Sequence, residues 1–142
     1  MKRLPTILAC SLFACQGLIG LAWAGDADVL VIANTSVPSL DAATVYRLYT
    51  GRAIEVGGNP VTVVNAEAGS PLRERFLHRY LQQDDEKYRA YWTVRRHIGK
   101  GVPPKEIKSS AELIDYVQRT PGAIGYIEAS ELRPGVKVVL KP

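Results

Sequence analysis

The chain has 142 residues, 46% of them hydrophobic and 23% charged, with a formal net charge of +4. That is enough for one domain with a core of its own, and it excludes a disordered, fibrous or repeat protein. The charge is too small to imply a nucleic-acid partner, and there is no long run of like charge or low-complexity tract.

Residues 1–24 carry the three parts of a secretory signal. Lys2 and Arg3 are basic, residues 8–21 are mostly apolar, and Ala22-Trp23-Ala24 is a small-x-small cleavage sequence before Gly25. The apolar part, broken by Gln16, Gly17 and Gly20, is too short for a transmembrane helix. The expected product is a periplasmic domain over residues 25–142, whose net charge falls to +2 once Lys2 and Arg3 are removed. Cys10 and Cys15 both lie in the signal, so this domain would hold together by its core, without disulfides. Lipid attachment at Cys15 is the alternative, although bulky Phe13 stands where such signals usually carry a small residue.

Residues 28–33 (DVLVIA) read as a buried strand, ended by Asn34-Thr35-Ser36 and Pro38. Asp41 is the expected N-cap of a helix with Val45, Leu48 and Tyr49 on one face and Gly51 just past its end. Gly57-Gly58-Asn59-Pro60 is a turn into a second short, β-branched strand at residues 61–64 (VTVV). Residues 65–69 form the connection, and Ser70-Pro71 starts a helix. The Ser70 hydroxyl can accept from an amide one turn on, and Pro71 stands where a missing N–H costs nothing. Free amides and the positive helix end then meet at one point, which suits an anion; an ordinary capped connection is the plainer reading.

Leu72, Phe76 and Tyr80, with Leu77 and Leu81, make the apolar stripe of this helix, which closes at Gln82-Gln83-Asp84. The next helix places Tyr88, Tyr91, Trp92, Arg95 and Ile98 at helical spacing, with Trp92 as its anchor on the sheet. Residues 101–104 read as a rigid exposed connection. Ser109 or Ser110 caps a helix with Leu113, Ile114 and Val117 inward. Residues 120–127 (TPGAIGYI) turn into a strand whose small Gly122, Ala123 and Gly125 admit another backbone, and residues 136–140 form the last strand. The sum is an α/β sandwich around a mixed sheet flanked by helices.

LDAATVYRLYTGRAIEV, VVNAEAGSPLRERF, AYW and TPGAIGYI, in this order and spacing, resemble the phosphate-type periplasmic substrate-binding proteins of ABC transporters, and most closely their short single-lobe relatives. Tyr49-Thr50-Gly51 looks like the family's F-x-G turn, and residues 121–126 match its PGAIGY strand. The resemblance implies a single lobe of a type II periplasmic-binding-protein-like fold and a role in binding phosphate or another oxyanion at the strand-to-helix turn. It places ligand contacts at Ser70 and Gly69, at the Leu72 and Arg73 amides, and at the Asn65 and Arg73 side chains. The sequence departs from the family's Arg-x-x-Gly-Ser-Gly-Thr turn in three ways. Pro71 replaces a glycine amide, Leu72 replaces the threonine, and the arginine position falls near Ala66. In this turn Arg73 either supplies charge or points to solvent. With one lobe, a bound anion would stay wet unless a homodimer or a partner supplied a second wall.

The resemblance implies a solute-binding protein working with an ABC permease or a sensor. The alternative is a non-catalytic periplasmic interaction module that kept the fold and lost the ligand. An enzyme is not expected: His78 and His97 sit in basic helical surroundings with no nucleophile paired in sequence, and neither a metal-ligand spacing, a cofactor motif nor a Gly-x-Ser-x-Gly elbow is present. Asp84-Asp85-Glu86 reads as an acid-rich helix start.

Overall fold

The computed structural model describes residues 28–142; the expected export signal and both cysteines lie outside the described residues. Five strands form one mixed sheet in the order β5-β4-β6-β1-β7. They are β1 (Val29–Ala33), β4 (Thr62–Ala66), β5 (Lys105–Ile107), β6 (Ala123–Glu128) and β7 (Lys137–Leu140). β4 runs parallel to both β5 and β6, while β1 lies antiparallel to β6 and β7, with a register shift between Val31 and Ile32. A separate hairpin, β2 (Glu55–Val56) and β3 (Asn59–Pro60), turns through Gly57 and Gly58, both at positive φ.

β1 explains its own unbroken apolar run. Its side chains alternate faces, and both faces are covered. Val29, Val31 and Ala33 join one core with α1 (Ala42–Tyr49), α2 (Pro71–Phe76) and α3 (Asp85–His97). Leu30 and Ile32 join a second core with Leu113, Ile114 and Val117 of α4 (Ser110–Arg119). The same alternation in β6 sends Ile124 and Tyr126 to the first core and Ala123 and Ile127 to the second.

The expected caps are present. Asp41, Ser70, Asp84 and Ser109 each accept from the amide three residues on, and Gly51 lies at φ +65 beyond the end of α1. Gly122 faces the Pro60 carbonyl so closely that a Cβ there would sit 2.6 Å from the oxygen, so backbone does approach at this glycine. Gly125 instead makes room for side chains: a Cβ would meet Leu113 at 2.6 Å.

Two local readings are corrected, the unbroken helix from Ser70 and the placing of Asn65 and Ala66 in a connection. The helix from Ser70 is not continuous to Leu81, because α2 passes at Phe76 into a π-helical turn, Leu77–Leu81, closed by the Gln82 amide bonding the Leu77 carbonyl. Ile98 is 59% exposed, and Trp92 is buried in the first core with its ring packed where Gly51 leaves space beyond the end of α1. The residues after Pro104 form edge strand β5, and β4 extends through Asn65 and Ala66, which the sequence reading put in the connection.

Candidate functional site

The carboxyl ends of parallel strands are where open α/β sheets gather ligands, and Asn65, Ala66 and the Ser70 turn lie at that end of β4. The turn is built tightly. The Ser70 hydroxyl accepts from the Arg73 amide at 3.3 Å, the Ser70 amide donates to the Glu67 carbonyl, and Gly69 takes φ +76. Leu72, in α2, is buried in the first core.

The Arg73 side chain is almost wholly buried, 3% exposed, and meets solvent only where it lines a cleft. Its guanidinium folds back under the turn. Nε donates to Asp85 Oδ1 at 2.7 Å, and Nη1 donates to Glu106 Oε1 at 2.7 Å and to the Ala66 carbonyl at 3.2 Å. The ring of Tyr88 covers it at 5.5 Å. Burial alone would lower its pKa, but Glu106 and Asp85 more than offset that, so Arg73 is held above its ordinary value and stays charged. The other Asp85 oxygen accepts from the Gly69 amide at 3.0 Å. A carboxylate of the protein itself therefore receives the turn's glycine amide and one edge of the arginine, as an oxyanion would.

Asn65 is buried at the same end of β4. Its amide donates to the Tyr88 hydroxyl at 3.2 Å and its carbonyl accepts from the Tyr126 hydroxyl at 3.1 Å. Tyr88 in turn donates to the Tyr49 carbonyl, and the Tyr126 oxygen accepts from the Ala66 amide. Burial raises the pKa of Tyr88 and pushes that of Tyr126 far above the ordinary phenol value, so both remain neutral donors.

Of the five residues expected at the ligand, Asn65 and Arg73 line a cleft of about 180 Å³ between α3 and Pro103-Pro104. Ser70, Gly69 and Leu72 form the turn that holds Arg73 in place. The cleft adds residues the sequence reading did not single out as a site: Arg89, Trp92, Arg96 and Glu106. Asp85 was legible only as a helix-start acid. With Asp84 already the cap, a second acid beside it was a signal that it faced some other partner. His78 and His97 are both exposed, and among the described residues no group of three or more His, Cys, Asp or Glu could hold a metal ion. No helix of the described residues is long and apolar enough to cross a membrane.

The chain matches no protein-family model, and no curated protein matches it. Solved structures do share its architecture. A putative phosphate ABC transporter substrate-binding protein with bound phosphate from Clostridium perfringens superposes with a TM-score of 0.60 at 24% identity, over 79% of this chain and 44% of that one. The chain has the phosphate-receptor fold. PstS from Borrelia burgdorferi gives 0.58 at 16% identity, over 79% and 46% of the two chains. An ABC-type phosphate transport receptor from Vibrio cholerae gives 0.55 at 20%, over 79% and 45%. The chain thus spans less than half the length of these structures, all of them binding proteins or transport receptors. The mixed α/β sheet flanked by helices is the architecture expected from the order of the elements.

Proposed function

We propose that the protein is an exported solute-binding protein whose ligand is a small oxyanion of the phosphate class. One observation carries the reading. Arg73 is a buried, fixed cation at the carboxyl end of parallel strands, and its Nη2 has no hydrogen-bond partner among the described residues while the side chain lines a cleft. Asn65 lies at the same floor, and Ser70, Gly69 and the Leu72 and Arg73 amides act by shaping the turn that orients the guanidinium. Periplasmic export, delivery to an ABC permease or a sensor, and a second wall from a homodimer or partner belong to the same proposal.

Calorimetric titration with phosphate, sulfate and small carboxylates tests it. Binding that weakens at least tenfold in Arg89→Ala and Arg96→Ala, both exposed and so harmless to the fold, is the expected result. No heat and no thermal shift with any of these anions would sink it. Mature protein beginning at Gly25 is the matching expectation for export.

The Asp85 carboxylate favours a second reading, the non-catalytic interaction module. It already takes the turn's glycine amide and the Arg73 Nε, leaving the seat satisfied without a guest. On this reading no anion binds, and a periplasmic protein partner is retained by Ser70→Ala.

A further inference from the structure

Glu106 is the one acid among the residues that line the Arg73 cleft. Its place follows from the alternation of β5. Ile107 enters the second core and the Lys105 ammonium lies over the Tyr116 ring at 5.3 Å, both on the α4 side of the sheet. Glu106 therefore turns to the opposite side. Its register partner in β4 is Asn65, which faces the same way, and its carboxylate meets Arg73 Nη1 there.

The two carboxylates on Arg73 are held differently. Asp85 is 6% exposed and takes Arg73 Nε on one oxygen and the Gly69 amide on the other. It belongs to the frame of the site. The Glu106 side chain is 48% exposed, on an outer strand, and Arg73 is its one hydrogen-bond donor among the described residues. Without it, the bonds from Nε to Asp85 and from Nη1 to the Ala66 carbonyl still fix the guanidinium. Glu106 is thus dispensable for placing Arg73, and it occupies, as an anion, an edge of the arginine that an arriving oxyanion would use.

Charge decides what that does. Arg73, Arg89 and Arg96 are the cations of the cleft, with Glu106 in its wall and Asp85 behind Arg73. Three positive groups against two negative ones leave one net positive charge, which suits a singly charged guest. A doubly charged guest meets twice the repulsion from Glu106. For a half-exposed carboxylate at roughly 6 Å and an effective dielectric constant of about 60, that repulsion costs about fivefold in affinity per unit of ligand charge.

We propose that Glu106 is a specificity-determining residue of this cleft, an internal anion that disfavours a doubly charged oxyanion more than a singly charged one of the same shape. This rests on the solute-binding reading above and extends it by naming the group that sets the charge of the preferred ligand.

The test is calorimetric titration of the wild-type protein, Glu106→Gln and Glu106→Ala with sulfate and methanesulfonate. Both anions are tetrahedral and similar in size, and near neutral pH they carry two charges and one. Glutamine keeps an oxygen for Arg73 Nη1 and removes only the charge. In Glu106→Gln, affinity should rise about fivefold for methanesulfonate and about 25-fold for sulfate, and Glu106→Ala should show the same order. Sulfate binding detected in the variants alone is the extreme form of that result. Unchanged or weaker affinity in both variants would overturn the proposal and make Glu106 a residue that positions the guanidinium, with the oxyanion reading left standing. An equal gain for the two anions would overturn it too, since relieved crowding or a vacated hydrogen bond does not distinguish one ligand charge from two. No binding of either anion by any of the three proteins removes it as well, and the phosphate titration above then decides the oxyanion reading separately.

Discussion

Arg73 is where sequence, stability and proposed function meet. An arginine in the first turn of an exposed helix would be a surface charge worth little, yet here it is desolvated and bonded to two carboxylates and a carbonyl. Removing it strands Asp85, which is 6% exposed, as a buried charge beside the Gly69 amide. Arg73→Ala should therefore cost roughly 3–5 kcal/mol in urea denaturation, and the Arg73→Met, Asp85→Leu double variant should recover much of it, since an apolar pair replaces an ion pair. Glu106 is different. Its side chain is 48% exposed, so Glu106→Gln should change stability by less than about 1 kcal/mol. A small loss in the arginine variant would mean that the turn stands without its guanidinium, and that Arg73 is poorly fixed for any ligand.

At the scale of elements, the π-helical turn is the least expected feature. Leu72, Phe76 and Tyr80 keep an i, i+4 spacing that reads as unbroken α-helix, and all three are buried. The added residue in the Leu77–Leu81 turn lets Leu77, Tyr80 and Leu81 all face inward while the Tyr80 hydroxyl reaches the Val29 carbonyl at 2.7 Å. The chain leaves the turn through Gln82 at φ 55, the one non-glycine residue at positive φ among the described residues. Gln82→Gly should relieve that strain and, net of the glycine entropy, stabilise the protein by about 0.5–1 kcal/mol; a loss would show that the turn is held by side-chain packing instead. Caps and buried runs were legible because their causes are local: a side-chain oxygen and the amide three residues on, or an apolar run covered on both faces. β5 was not, because three residues, two of them exposed, carry no periodicity, and the strand exists by pairing with β4. The cleft was half legible for the same reason. Asn65 and Arg73 sit beside a recognisable turn, whereas Arg89, Trp92 and Arg96 belong to a later helix and meet that turn only in the folded chain.

Across the whole molecule, tyrosine hydroxyls join the sheet to its helical cover. Tyr49 donates to the Val64 carbonyl, Tyr88 to the Tyr49 carbonyl, Tyr80 to the Val29 carbonyl and Tyr126 to Asn65, and Phe76 stacks on Tyr126 at 3.8 Å. Burial raises the pKa of all four phenols above their ordinary 10.0, most for Tyr49 and Tyr126. The unfolded chain releases these protons at the ordinary value, so above it the unfolded state binds fewer protons than the native one. Stability is therefore fully present below pH ~10 and falls as the pH rises beyond it, by up to about 1.4 kcal/mol per pH unit for each of the most enclosed phenols. Phenolate absorbance followed alongside circular dichroism should show these four of the seven tyrosines ionising in one step with loss of structure. Smooth ionisation of all seven ahead of unfolding would mean that the hydroxyls reach water in the native state. The polar floor beneath Arg73 would then be open to water.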